Sequence, residues 1–135
     1  MVEVGCGLGA ILSRVTAKER FGYDVDGAVI RAARLLRGRS VTFIEGGFES
    51  VSQPAIDVLI AVNWIHDFPP EQIERWLSPL LPRCRYILLD AIDRSSPLSY
   101  QFYHDFAFLD GQAAVVRTDA FGEAHRRFIL YEVGR

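Results

Sequence analysis

The sequence predicts an α/β fold built on a mostly parallel sheet. Three observations carry this. Strand-like and helix-like periodicities alternate from Met1 to Ile92. Val58-Leu59-Ile60-Ala61-Val62 is an unbroken apolar run, as suits a strand buried on both faces of a parallel sheet. Near the C-terminus, Ala113 to Phe121 and His125 to Val133 are strand-like and joined by a short turn around Gly122, so they must pair antiparallel.

Taken in order, Met1 to Val4 reads as the end of a buried strand. Leu8, Ile11, Leu12 and Val15 recur at helical spacing and predict a helix from about Leu8 to Ala17. Arg20 to Val25 reads as the second strand. Asp26 is placed to cap a helix over Gly27–Arg37, with Val29, Ala32, Ala33 and Leu36 as its apolar stripe and Gly38 just past its end. Val41 to Glu45 is a third strand, broken by Gly46-Gly47, and Phe48 to Ala55 a loop or single helical turn. Ile56 to Asn63 is the fourth strand. Pro69-Pro70 opens a helix whose buried stripe is Ile73, Trp76, Leu77 and Leu80, ended by Pro79 and Pro82. Tyr86 to Ile92 is a fifth strand, and the aromatic-rich stretch from Ser95 to Asp110 reads as a short helix plus loop. The result is a three-layer, Rossmann-like arrangement with an antiparallel C-terminal hairpin strand. Ligands of such sheets bind beyond the carboxyl ends of the strands.

Bulk properties narrow the class. The 135 residues suit one domain, 1–135, and half of them are apolar, enough for a core. A net charge of −2 with mixed signs argues against a nucleic-acid binder. No run approaches the ~20 apolar residues that span a bilayer, and no signal peptide is evident. The two cysteines, Cys6 and Cys84, make neither a disulfide framework nor a metal cluster and read as reduced thiols, which points to the cytoplasm.

Glu3-Val4-Gly5-Cys6-Gly7-Leu8-Gly9 holds the chemistry. Alternate glycines let a ligand approach the backbone, and a following helix start offers free N–H groups. Gly5-x-Gly7-x-x-Ala10 also satisfies a dinucleotide fingerprint. Asp24, at the end of the second strand, can accept both hydroxyls of a ribose, or else act as a strand-end cap. Glu3 discriminates. A carboxylate inside a buried strand needs a partner, which a ligand ammonium or the loop backbone would supply.

At these residues the chain resembles a class I S-adenosylmethionine-dependent methyltransferase. The likeness rests on Glu3 to Gly9, on Gly22-Tyr23-Asp24-Val25-Asp26, and on Asp57 to His66, in the family's order. It implies S-adenosyl-L-methionine as cofactor, with Glu3, Gly5 and Gly7 around its methionine part and Gly9 at the helix start. It further implies Asp24 on the ribose, Val25 against the adenine, and Asn63 and Trp64 along the methionine side. Where the family often carries an acid for the adenine amino group stands Gly47, so adenine recognition is expected to fall to backbone at Phe48 and apolar contact. The family's helices ahead of the glycine motif are missing from this sequence. That suggests a fragment, a lid supplied by a partner, or a minimal open form.

Methyl transfer needs positioning, exclusion of water and sometimes a base. His66, after the fourth strand, is the candidate base or a pocket-shaping loop residue. Tyr103 and His104, with Tyr100, are candidates to line the acceptor site or to close the core under a long loop. Asp90 and Asp93 bracket the end of the fifth strand, and Asp93 reads as a solvated acid. No metal is demanded by the spacing. The expected function is methyl transfer from S-adenosylmethionine to a small-molecule acceptor. The alternative is an inactive methyltransferase-fold module that binds a partner, and a weaker third reading is an NAD-type oxidoreductase. Uncovered apolar surface also makes a homodimer an expectation.

Overall fold

The structure is a computed structural model that describes residues 1–121 and 125–134, with only the backbone of Phe121. The expected turn around Gly122 lies outside the described residues.

Seven strands form one sheet in the order β3-β2-β1-β4-β5-β7-β6. They are β1 (Val2–Val4), β2 (Phe21–Asp24), β3 (Thr42–Glu45), β4 (Ile56–Ala61), β5 (Cys84–Ile92), β6 (Ala113–Phe121) and β7 (Arg126–Val133). β1 to β5 are parallel, and β7 inserts antiparallel between β5 and β6. The sheet order reverses direction between β1 and β4, which opens a crevice at the carboxyl ends of the strands.

Strand alternation divides the core. Val2, Val4, Tyr23, Leu59, Ala61, Ile87 and Leu89 face the layer that holds helix α2 (Pro70–Leu77), whose Ile73 and Leu77 are fully buried. On the other side Cys6, Leu12 and Phe43 pack with Ile30 and Ala33 of helix α1 (Gly27–Arg37). The α1 boundaries match the expectation because Asp26 caps it: its Oδ1 accepts from the N–H groups of Ala28 and Val29 at 2.8 and 3.3 Å. Of the expected stripe Ala33 is buried, Val29 and Ala32 are half-buried and Leu36 is 63% exposed, while Ile30 is buried in its place. Arg34 ties the helix to β3 through its guanidinium on the Phe43 carbonyl. Gly38 ends the helix in a right-handed conformation, its N–H on the Arg34 carbonyl, rather than in a left-handed one.

Two expected helices do not form. From Gly7 to Arg14 the chain makes consecutive turns. Gly7 and Gly9 have φ of +52° and +73°, which no right-handed helix accommodates. The Ser13 N–H reaches back four residues to Gly9, but that of Arg14 reaches only three, to Ile11. The Arg20 guanidinium takes the carbonyls of Leu12 and Val15. Of the expected stripe only Leu12 is fully buried, while Leu8 is 45% exposed. The aromatic stretch likewise has no α-helix; it is extended loop with one 3₁₀ turn at Ala107–Leu109.

Candidate functional site

The crevice at the strand-order reversal holds a cavity of about 390 Å³. Val4 and Gly5 after β1, Asp24 and Val25 after β2, and the Gly46–Glu49 segment after β3 form its polar half. Trp64, Phe68 and Trp76 close the apolar half. Phe48 and Trp64 have ring centroids 5.5 Å apart, and Phe68 and Trp76 meet edge to face at 5.0 Å. Such contacts fix the wall's shape.

The three glycines of the loop serve different ends. The Gly5 N–H and that of Cys6 both bond the Tyr23 carbonyl, at 2.8 and 2.9 Å. A side chain at Gly5 would strike the Trp64 indole, whose Nε1 donates to the Val4 carbonyl at 2.8 Å. A side chain at Gly9 would strike the Phe43 ring. Only Gly7, at +52°, leaves open space where its side chain would be. Of the glycines expected around a ligand, Gly5 lies on the cavity wall, and Gly9, expected at a helix start, packs against Phe43 in a run of turns.

Asp24 holds this loop to β2. One carboxylate oxygen accepts from the Gly7 N–H and the other from the Asp26 N–H, both at 3.0 Å. The side chain is half-buried on the cavity wall, and Val25 beside it is 76% exposed. Glu3 points to the opposite face of the sheet edge, at 4% exposure. Its carboxylate accepts from the Leu12 N–H, yet Oε2 has no partner among the described residues. Burial pushes its carboxyl up to about 7, offset in part by that N–H. Cys6 nearby is pushed up to about 12, by burial and then by the charges of Glu3 and Asp24. Cys6 and Cys84 are unpaired and buried.

Gly47 is not the end of the acid question. Glu49, two residues on, lines the same cavity, and its Oε1 accepts from the Gly47 N–H at 3.2 Å. Its Oε2 lies 2.8 Å from where a Gly47 side chain would begin. A carboxylate therefore occupies the space that an acid at 47 would fill. Sequence reasoning missed it by taking residue position for spatial position.

Asn63, at the end of β4, is exposed and does not line the cavity. It adopts φ +76°, which aims its N–H at Asp90 Oδ1, 3.0 Å away. Asp90 is fully buried and is the centre of a second cluster. The Arg126 guanidinium donates to its Oδ2 through Nε and Nη2, at 2.8 and 2.7 Å. His66 Nε2 lies 3.3 Å from the same oxygen but off the hydrogen-bonding line, so neither ring nitrogen has a directed partner among the described residues. Burial raises the Asp90 carboxyl, but His66, the Asn63 N–H and Arg126 together outweigh it and hold it below the usual range.

The aromatic connection roofs this cluster. The Phe102 N–H donates to the His66 carbonyl at 3.1 Å, and His104 Nε2 bonds the Ile65 carbonyl at 3.0 Å. Tyr100 and His104 flank the His66 ring at 5.6 and 5.4 Å. Burial lowers the His104 imidazole's affinity for a proton. Tyr103 is half-buried, beneath the Arg94 guanidinium. Of the three residues expected to do chemistry, His66 and His104 are neighbours and Tyr103 stands next to Tyr100, but none of them lines the cavity. Arg126, the missed member, carried no motif. No group of three metal-ligating side chains occurs among the described residues, and no described helix is long and apolar enough to cross a membrane.

No known protein-family profile matches the chain, and no curated protein matches it. Solved structures do. Magnesium protoporphyrin IX methyltransferase (ChlM) from Synechocystis PCC 6803 with bound SAH superposes with a TM-score of 0.81 at 16% identity, over 98% of this chain and 73% of that one. The N-methyltransferase NodS from Bradyrhizobium japonicum WM9 in complex with S-adenosyl-L-homocysteine gives 0.79 at 11% identity, over 99% and 77%. TehB from Haemophilus influenzae gives 0.75 at 12% identity, over 98% and 57%. The chain has the fold of the class I S-adenosylmethionine-dependent methyltransferases.

Proposed function

We propose that this chain binds S-adenosylmethionine in the crevice cavity and transfers its methyl group to a small-molecule acceptor. The observation that carries the reading is the placement of Asp24 on the wall of the one crevice where the strand order reverses. The residues around it suit the cofactor. Asp24 is positioned for ribose hydroxyls, Val25 and Phe48 for the faces of adenine, and Glu49 for its exocyclic amine. Gly7 leaves room for a ligand to reach the backbone, whereas Glu3, on the other face of β1, is not among the residues that line the cavity.

When bound, the cofactor supplies a methyl group on a sulfonium, open to in-line displacement. The protein's share is to position and to exclude water. Trp64 and Phe68 shield the cavity's deep side. His66 is the residue placed to take a proton from an acceptor at Nδ1, with Asp90 steadying the imidazolium. At 1% exposure it can do so only if the roof from Ser95 to His104 moves aside. Tyr103 and His104 brace that roof.

Calorimetry with S-adenosylhomocysteine tests the binding half. Binding that is lost in Asp24→Ala, with the fold retained, supports the reading; no heat at millimolar ligand refutes it. The burial of His66 and His104 away from the cavity favours a second reading, a module that binds cofactor or partner without turnover. Methylation of any acceptor in a small-molecule panel, lost in His66→Ala, would exclude it.

A further inference from the structure

We propose that β6 is a dimerisation edge, through which two copies of this chain pair antiparallel about a two-fold axis at Thr118. β6 ends the sheet and, among the described residues, pairs only with β7. Every residue from Ala114 to Ala120 is exposed, with Val115 at 56% and Val116 at 47%. An open edge is a template for another strand, and proteins usually block it with proline, lysine, unpaired charge or a bulge. β6 has no proline or lysine, and its bulge lies between Val115 and Arg117, outside the Arg117–Asp119 centre. Its only charged side chains are Arg117 and Asp119, 2.6 Å apart on one face.

That pair is self-complementary in one register. Centred on Thr118, an antiparallel pairing sets Arg117 of each copy opposite Asp119 of the other, twice over. Thr118 then faces its own symmetry mate; opposite charges and threonine pairs are favourable cross-strand neighbours. Centring on residue 117 or 119 instead sets like charges opposite each other. The bulge between Val115 and Arg117 recurs at both ends of the pair by symmetry and leaves the central Arg117–Asp119 segment regular on both strands. The contact is isologous, so it closes as a dimer and does not propagate. Main-chain hydrogen bonds give it strength and the charges give it register. It is independent of the methyl-transfer reading, since no β6 residue lines the cavity.

Charge reversal tests the register. An edge pairing buries little area, so sedimentation is run at about 100 µM chain, where weak interfaces populate. Wild type is expected at twice the monomer mass, and R117D and D119R each at the monomer mass. An equimolar mixture of the two single variants is expected to return to the doubled mass, because every facing pair is again opposite in charge. The double reversal R117D/D119R is expected to dimerise by itself. A monomeric wild type overturns the proposal. So do single variants that stay dimeric, or a mixture and a double variant that both stay monomeric while circular dichroism shows them folded.

Discussion

Replacing Glu3 by Gln should flatten the pH dependence of this protein's stability. The Glu3 carboxyl ionises in the unfolded chain near 4.5 but in the fold only near 7, because burial at 4% exposure disfavours the anion and one N–H compensates only in part. Between those values the folded state holds a proton that the unfolded state has lost, so stability falls as pH rises. The contribution is complete below pH 4.5 and is lost as pH passes 7. At about 1.4 kcal/mol per unit, keeping the anion buried costs the fold about 3 kcal/mol above pH 8. Gln has the shape of the protonated acid and no such cost. Urea unfolding of both proteins between pH 4.5 and 8.5 should start with near-equal stabilities and end with Glu3→Gln ahead by about 2–3 kcal/mol. Curves that stay parallel across the range would refute the reasoning, since they would mean that Glu3 is ionised at no cost.

Other perturbations separate the roles of neighbouring groups. Gly5→Ala should lower stability by about 2–3 kcal/mol and alter tryptophan fluorescence, since its Cβ would lie 2.0 Å from Trp64 Nε1 at a φ of +72°. Gly7→Ala, with open space around it, should lose only about 1 kcal/mol in urea unfolding. Asp90→Asn removes the carboxylate that, among the described residues, pairs with the half-buried Arg126 and the buried His66, and should cost about 3 kcal/mol in chemical denaturation. Proton NMR should find the His104 ring titrating below the ordinary histidine value of 6.5. Its stabilising contribution is therefore present above pH 6.5 and lost as pH falls, and His104→Phe should reduce that acid sensitivity.

Much of the fold was legible because it is local. The apolar run at Val58 to Val62, the Asp26 cap and the Pro69-Pro70 start each act within a few residues, and β4, α1 and α2 stand where they predict. The same locality misled at Leu8 to Val15. There the apolar spacing is helical, but the left-handed glycines and the Arg20 guanidinium hold the chain in turns. In the candidate site, the sequence located Asp24, Val25, Gly47, Phe48 and Trp64, all on the cavity wall. It could not show that Glu49 folds back into the space beside Gly47, which depends on the turn after β3.

By itself, then, the sequence determined the order of the strands and the two helices α1 and α2, the antiparallel C-terminal pair, and the carboxylate at the end of β2. Periodicity, capping and glycine spacing express short-range physics that needs no partner. The tertiary structure alone decided the rest. Trp64 reaches Val4 across sixty residues of chain, and Arg126 meets Asp90 across thirty-six. Those contacts turn one aromatic into a wall over Gly5 and bury His66 beneath a roof. They depend on which strands the sheet sets side by side, and no local pattern records that.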